Sequence, residues 1–182
     1  MKKYIVLFLI LLSINIYCEE KSKEWAKPIE LKEVPNLHKV SDNLFRSGQI
    51  TEEGVDGLKK LGIKTVINLR TFHSDRDILQ NSGINYMHIY EQAWNIEEKD
   101  VIDFLKIVNN KDNWPILVHC FHGADRTGTM SAIYRIIYDK WTKEEAIDEM
   151  VNGGFGFHSI FSNLITFIKK LDIDKIVKKS SK

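Results

Sequence analysis

The strongest constraint on the fold lies in residues 114–128, where an apolar run ends in His119-Cys120 and Arg126-Thr127-Gly128 follows shortly afterwards. Beyond Arg126, apolar side chains recur at the i, i+3, i+4, i+7 spacing of a helix, at Met130, Ile133, Tyr134 and Ile137. The pattern predicts a strand over 115–119, a loop, and a helix over 126–139. Cys120 is then placed where the strand ends, and Arg126 where the helix begins.

A cysteine in this position suits phosphoryl transfer to a thiolate. The thiolate is the nucleophilic form, and an ordinary cysteine is mostly protonated at neutral pH. Beside Cys120, the helix N-terminus, the loop amides and the Arg126 guanidinium would each favour the negative charge. The same amides and the planar guanidinium suit the oxygens of a phosphoryl group. We therefore predict that Cys120 is the nucleophile and that Arg126 binds phosphate; the alternative is a buried cysteine ahead of an ordinary helix.

The neighbours of Cys120 are expected to complete the site. Gly123 allows the backbone to turn inward with φ > 0, Thr127 would bring a hydroxyl near the sulfur to help the thiolate leave, and His119 would fix the strand end through hydrogen bonds. His122 is expected to face either the substrate or solvent. The predicted phosphate-binding residues are Phe121, His122, Gly123, Ala124, Asp125 and Arg126. The His-Cys-x-His spacing lacks a second matched pair of ligands, so we expect neither a metal site nor an organic cofactor.

The motif His119-Cys120-x-x-Gly123-x-x-Arg126-Thr127-Gly128 resembles the signature of the cysteine-dependent protein tyrosine and dual-specificity phosphatases. With Ala124-Asp125 inside it, the motif is similar to that of bacterial members. The resemblance extends over about residues 44–173 and includes Phe45-Arg46-Ser47-Gly48-Gln49, Asn68-Leu69-Arg70 and Gly153-Gly154-Phe155-Gly156-Phe157-His158. It implies a phosphomonoester hydrolase that acts through a phosphocysteine intermediate on a phosphorylated protein or a small phosphorylated substrate.

A phosphatase of this kind also needs a proton donor for the leaving oxygen. Many members carry an aspartate on a loop ahead of the last strand, but the corresponding loop here, 91–95, has no aspartate next to Trp94. Asp125 is the better candidate, because an aspartate in the same loop position is thought to act as the acid in some members of the class, such as myotubularins. Alternatively, Asp125 only caps the helix or pairs with a cation. The remaining candidates are Asp75, Glu97, Glu98 and Asp100.

Two further segments are expected to border the pocket. The segment 70–77 follows a strand, so Arg70 or Arg76 would bind the substrate phosphate or hold the catalytic loop, unless both form structural ion pairs with nearby aspartates. The glycine-rich segment 153–158 joins two helices, and it is either a tight or mobile loop near the site or a plain connector.

Strands alternate with helices from Thr51 onward, which predicts an α/β fold of phosphatase type: a small, mainly parallel sheet of about four strands, flanked by helices on both faces, with the site at the strand carboxyl ends. A last helix is predicted over 159–171. Helix caps are predicted at Thr51, at Asn95 with Glu98, and at Thr142 with Glu145. We divide the chain into a leader (1–18), a spacer (19–36), a phosphatase domain (37–174) and a basic tail (175–182).

The leader indicates export. Lys2 and Lys3 precede an apolar stretch over 4–17 that is short for a membrane span and suits the core of a signal peptide. Cys18 would allow attachment of a lipid, although Ile16-Tyr17 differs from the small residues usual before a lipidated cysteine. We expect an exported protein that is periplasmic or membrane-anchored, with any membrane attachment made through its N-terminus.

The composition limits the kinds of partner and cross-link that we expect for this chain. The formal net charge of +1 gives no reason to expect nucleic acid binding, and the two cysteines, Cys18 and Cys120, imply no disulfide framework. We expect a monomer.

The alternative functions are a phosphoinositide or inositol phosphate phosphatase, a phosphate-binding pseudo-enzyme, a rhodanese-like sulfurtransferase and an arsenate reductase. Arg126-Thr127 argues against the sulfurtransferase, and the lack of a second cysteine in the domain argues against the reductase.

Overall fold

A six-stranded mixed sheet forms the centre of the structure, a computed structural model that describes residues 23–181. Its strands are β1 (Lys27–Pro28), β2 (His38–Lys39), β3 (Leu44–Ser47), β4 (Thr65–Arg70), β5 (Asn85–Glu91) and β6 (Ile116–His119). They lie in the order β1-β2-β3-β6-β4-β5; β3, β6, β4 and β5 are parallel, whereas β1 and β2 are antiparallel additions at one edge. The predicted mainly parallel sheet is confirmed, and it has more strands than the four expected.

Helices cover both faces of the sheet, as predicted. They are α1 (Val55–Lys60), α2 (Arg76–Leu79), α3 (Glu98–Asn109), α4 (Asp125–Tyr138), α5 (Lys143–Asn152), α6 (Ser162–Lys170) and α7 (Ile173–Ser180). On one face Val66 and Leu117 pack in a cluster with Leu58 of α1. On the other face Ile67 and Val118 pack with residues of α3 and α4. Successive strand residues thus serve opposite faces. Within residues 23–181, no helix has the length and apolar character needed to cross a membrane.

The register of the parallel strands brings their carboxyl ends to one level. His119 of β6 is paired with Ser47 of β3 and with Asn68 of β4. Cys120 therefore begins the loop between β6 and α4 at the edge where the neighbouring strands also end. This edge is where open α/β sheets bind their ligands.

The start of α3 differs from the prediction. Glu97 and Asp100 form its capping box, and Asn95 does not cap it. The amide of Asn95 instead donates to the carbonyl of Gln92 at 2.9 Å, which keeps Asn95 in the preceding turn. The capping box predicted for α5 is present, between Thr142 and Glu145.

Two other helix boundaries were also predicted wrongly. Thr51 makes no side-chain cap, because its hydroxyl donates to the carbonyl of Glu33 at 3.3 Å, and a 3-10 turn over Glu52–Gly54 precedes α1. The single helix predicted over 159–171 is divided, because a 3-10 turn over Ser159–Phe161 comes before α6.

Residues 23–36 belong to the folded domain, so the prediction of a spacer over 19–36 is wrong for its described part. β1 pairs with β2, and Val34 is buried in the cluster that contains Leu58. The Ala26 amide nitrogen donates to Glu149 Oε1 at 2.7 Å. The many charges of this segment concealed the apolar side chains that pack on the sheet, Ile29, Leu31 and Val34. The leader lies outside the described residues.

The prediction of a solvated basic tail over 175–182 is wrong as far as residue 181. Residues 175–180 belong to α7, which Asp172 caps by accepting a hydrogen bond from the Lys175 amide at 3.0 Å. Ile176 is fully buried in the cluster that also holds residues of α3, and the Lys175 ammonium lies 2.8 Å from the Glu98 carboxylate. The sequence of α7 is rich in lysine, but its apolar residues form one stripe, which is enough to pack a short helix against the domain.

We expect Ile176→Ala to lower the free energy of unfolding by about 2–5 kcal/mol, because it leaves a cavity in a packed cluster. The matched control is Val177→Ala, at a neighbouring position that is 37% exposed. Denaturant unfolding of both variants checks the prediction. Equal and small losses for the two variants would mean that α7 is not docked.

Candidate active site

The loop between β6 and α4 is held in one shape by close packing. Gly123 has a φ of +74°, and a Cβ on it would lie 2.5 Å from the backbone nitrogen of Gly48. Both the conformation and the close approach require glycine. Cys120, the first residue of the loop, is buried and has a free thiol.

The carbonyl groups of this loop are turned outward by donors from other segments. Three consecutive carbonyls accept hydrogen bonds of 2.7–3.0 Å: Phe121 from the Gln49 amide, His122 from Asn36 Nδ2, and Gly123 from Arg46 Nη2. In a trans peptide the N–H points opposite to the C=O. The amide hydrogens that follow these carbonyls therefore face into the loop, where they can bind an anion.

Arg46 supplies one of these donors, a role that its sequence motif did not predict. It is 1% exposed, and its guanidinium carbon lies 3.7 Å from the centre of the Phe155 ring. Burial lowers the pKa of Arg46 to about 10, although the nearby Glu149 carboxylate acts in the opposite direction. Arg46 is therefore still charged at neutral pH. The available signal was an arginine directly after the apolar pair Leu44-Phe45.

Arg126 lies at the beginning of α4 and reaches across two strand ends. Its Nη1 donates to the carbonyls of Leu69 and Glu91, each at 3.2 Å. These contacts hold the guanidinium plane over the edge of the sheet where Cys120 begins the loop. Arg126 also lines a cavity of about 400 Å³ at this edge, as a phosphate-binding arginine must.

His119 and Asp75 form a buried pair beneath the loop. His119 Nε2 lies 2.8 Å from Asp75 Oδ2, and its Nδ1 lies 3.2 Å from the Cys120 carbonyl oxygen. Burial alone would raise the pKa of Asp75, but hydrogen bonds from His119 and Gln49 outweigh it and lower that pKa. Asp75 is 1% exposed. It therefore orients His119 and cannot reach a leaving group in the cavity.

The Thr127 hydroxyl is buried and makes no hydrogen bond to any described residue. The structure therefore shows no hydrogen bond between this hydroxyl and the Cys120 sulfur. Its role in helping the thiolate leave stays a prediction.

The cavity beside Arg126 has a single carboxylate among its lining residues in the described part of the chain. Its lining is Arg70, Thr71, Phe72, Gln92, Ala93, Trp94, His122, Asp125, Arg126, His158, Ile160 and Phe161. The other acid candidates lie elsewhere: Glu97 and Asp100 cap α3, and Glu98 pairs with Lys175. Of the carboxylates proposed from the sequence, only Asp125 borders the cavity.

Asp125 is paired with His158, a residue that the sequence motif did not predict for the site. Asp125 Oδ1 accepts a hydrogen bond from the His158 amide at 2.9 Å, and Oδ2 lies 2.8 Å from its ring Nδ1. The signal available in the sequence was a histidine directly after a glycine-rich segment. With His122, the two residues offer three possible metal ligands within 4.8 Å of one another, so the absence of a metal site stays a prediction.

The two arginines of the segment 70–77 have different places. Arg70 lines the cavity, donates to Gln49 Oε1 at 2.7 Å and lies 4.8 Å from the centre of the Phe121 ring. The guanidinium carbon of Arg76 lies 5.8 Å from the centre of the Tyr86 ring, and Arg76 does not line the cavity. Neither forms an ion pair with an aspartate of this segment among the described residues, where Asp75 is engaged by His119 and His73 instead.

Glu91, at the end of β5, is a third residue near the site that was not predicted from the sequence. Its side chain is fully buried, and neither carboxylate oxygen has a hydrogen-bond partner among the described residues. Burial raises the pKa of Glu91 well above its usual range, and the nearby Asp100 and Cys120 add to the effect. The raised pKa favours the protonated form of this side chain, although the nearby Arg126 guanidinium acts in the opposite direction.

We expect Glu91→Gln to stabilise the fold at neutral and higher pH. Between the ordinary carboxyl pKa of about 4.3 and the raised pKa in the fold, only the folded chain holds this proton, so stability falls as pH rises. Glutamine does not titrate, so the stability of the variant does not fall with pH for this reason. The melting temperature of the variant should exceed that of the wild type at pH 8, and the gain should disappear near pH 4. A gain independent of pH would show that Glu91 is not protonated in the folded protein.

The sequence is similar to known phosphatases. Residues 24–164, well over half of the chain, match the family model described as DSP-PTPase phosphatase fused to NAD+ Kinase. The chain is 29% identical over 155 residues to dual specificity protein phosphatase TpbA of Pseudomonas aeruginosa, a match that covers 85% of this chain and 70% of TpbA. It is 28% identical over 149 residues to the inositol diphosphatase DSP3 of Arabidopsis thaliana, covering 76% of this chain and 70% of that protein.

The fold is similar to solved structures of TpbA and of a yeast phosphatase. The crystal structure of P. aeruginosa TpbA has a TM-score of 0.78 and 28% identity, and the match covers 88% of this chain and 99% of that one. The catalytic core of the PP-IP phosphatase SIW14 from S. cerevisiae has a TM-score of 0.73 at 24% identity, covering 84% of this chain and 94% of that one, and supports the fold alone. With the family model, the relatives and the site geometry in agreement, this chain belongs to the DSP-PTPase family and is a cysteine-dependent phosphatase.

Proposed function

We propose that this phosphatase hydrolyses aryl phosphomonoesters, with phosphotyrosine in a protein as the natural class of substrate. The observation that carries the proposal is the apolar rim of the cavity beside Arg126. Phe72, Trp94 and Ile160 line this cavity and are 91%, 66% and 83% exposed. Large apolar side chains left open around a concave site are typical of a ligand-binding surface. A tyrosine ring entering with its phosphate toward Arg126 would cover them.

The charges around the cavity favour the same class. Among the described residues that line the cavity, two are arginines, Arg70 and Arg126, and none is a lysine. Two cationic side chains are enough to bind a substrate that carries one phosphomonoester group. An inositol polyphosphate carries several phosphates and would call for more cations than these two. The structure of TpbA with pTyr bound, which has a TM-score of 0.77 and 27% identity, supports the phosphotyrosine class. The inositol diphosphatase among the relatives keeps the alternative open to test.

In the proposed reaction, the Cys120 sulfur attacks phosphorus as the bond to the leaving oxygen breaks. The inward amides of the loop and the Arg126 fork bind the three remaining phosphoryl oxygens, on which charge is spread in the transition state. The leaving oxygen takes up a proton. Water then attacks the phosphocysteine, phosphate departs, and the thiolate is restored. These steps use only groups of this chain and water.

The direct test compares kcat/KM for a phosphotyrosine peptide, a phosphoserine peptide and an inositol polyphosphate. We expect the phosphotyrosine peptide to be preferred.

We also expect Trp94→Ala to lower kcat/KM for the phosphotyrosine peptide by roughly tenfold or more, mainly through KM, because an apolar contact of about 1.5–3 kcal/mol is lost. Trp25→Ala is the matched control, since Trp25 is also exposed but does not line the cavity. Preference for the inositol polyphosphate, with no effect of Trp94→Ala, would contradict the proposal.

We also propose that the protein is exported, and that it is periplasmic or attached to the membrane through its N-terminus. The support is the sequence of Lys2, Lys3 and the apolar stretch over 4–17, with Cys18 as a possible site of lipid attachment. Fractionation of the native host should place the protein outside the cytoplasm. Recovery of the full-length chain from the cytoplasm would contradict this. The monomeric state also stays a prediction.

A further inference from the structure

The hydrogen bonds of Asp125 leave it poorly suited to give up a proton. Its Oδ1 accepts the His158 amide hydrogen, and its Oδ2 shares one proton with His158 Nδ1. An imidazole is a stronger base than a carboxylate. The shared proton therefore belongs to the ring. Asp125 has the arrangement of an acceptor that orients a histidine, as the aspartate does in a Ser-His-Asp triad.

His158 has the arrangement of a donor. The ring lines the cavity together with Arg126, and its side chain is 45% exposed. Nδ1 is occupied by Asp125, whereas Nε2 has no hydrogen bond to any described residue. A histidine changes charge near neutral pH, which suits a general acid in this range. Apart from Asp125 and His158, the only acidic or histidine side chain that borders the cavity in the described chain is that of His122.

The segment that carries His158 is fixed to the catalytic loop. Asn36 Nδ2 donates both to the His122 carbonyl at 3.0 Å and to the Phe155 carbonyl at 2.9 Å, so one amide group joins the two segments. The Phe155 ring also packs on the Arg46 guanidinium. Gly154 and Gly156 both have a φ of +81°, which makes the tight path possible.

We propose that His158 is the proton donor to the leaving oxygen and that Asp125 is its positioning residue. The proposal rests on the phosphatase reaction above. As the bond between sulfur and phosphorus forms and the bond to the leaving oxygen breaks, the proton on His158 Nε2 passes to that oxygen. The neutral ring then takes a proton from the water that attacks the phosphocysteine. The thiolate leaves, and both His158 and Cys120 return to their starting states.

The decisive variant is His158→Asn. Its side-chain amide nitrogen can replace Nδ1 as a donor to Asp125, but it has no acidic proton to deliver. We expect kcat for esters with poor leaving groups, such as a phosphotyrosine peptide, to fall by about 10²–10⁴. For an activated aryl phosphate the loss should be much smaller. The alkaline limb of the pH profile of kcat, where the imidazolium loses its proton, should also disappear.

Asp125→Asn and His122→Asn complete the series, each assayed against the same esters with a chelator present because of the three possible metal ligands. Asp125→Asn should have a smaller effect than His158→Asn, and His122→Asn should keep the wild-type dependence on the leaving group. If Asp125 itself is the donor, Asp125→Asn will steepen that dependence while His158→Asn leaves it unchanged, and the proposal is overturned. A wild-type protein that hydrolyses no ester would instead refute the phosphatase function on which the proposal rests.

Discussion

The hydrogen bond from the Arg46 guanidinium to the Gly123 carbonyl is the interaction on which the rest of the site depends. It draws the carbonyl away from the cysteine at 2.7 Å, and two other donors do the same for the preceding carbonyls. A loop with its carbonyls outside has its amides inside, where they favour a thiolate and a bound phosphoryl group. Hydrogen bonds to a buried charge are worth about 1.5–3 kcal/mol each. Releasing this carbonyl would turn an acceptor toward the phosphate and repel it.

A buried guanidinium must itself be held, and this requirement connects the site to the rest of the fold. Glu149 of α5 lies close enough to Arg46 to favour its charge. Glu149 also forms an ion pair with Arg135 of α4 at 2.7 Å and accepts a hydrogen bond from the Ala26 amide. Losing one member of such a buried set leaves a charge without its partner, at a cost of about 3–5 kcal/mol. The N-terminal segment and α5 are therefore structural parts of the active site.

The sequence predicted the features that depend on neighbours in the chain. Cys120, Arg126 and the glycine at 123 stand in one short motif between a strand and a helix, so their roles could be inferred together. Arg46 and His158 could not be placed in this way, because each meets the loop only after the sheet has formed. The lysines of α7 led to the wrong prediction of a basic tail, because the packing of that helix also depends on residues distant in the chain. Charge is visible in the sequence, whereas the docking of Ile176 depends on a distant helix.

We expect this geometry to place the phosphoryl group on Cys120 during turnover. Rapid quenching of the enzyme with a substrate labelled in its phosphate, followed by peptide mapping, measures this directly. The expected result is an acid-trapped phosphoryl group on the peptide that contains Cys120, formed as quickly as the dephosphorylated product is released, and no such label in Cys120→Ser. Turnover at the normal rate without label on this peptide, or with label on a histidine, would contradict it.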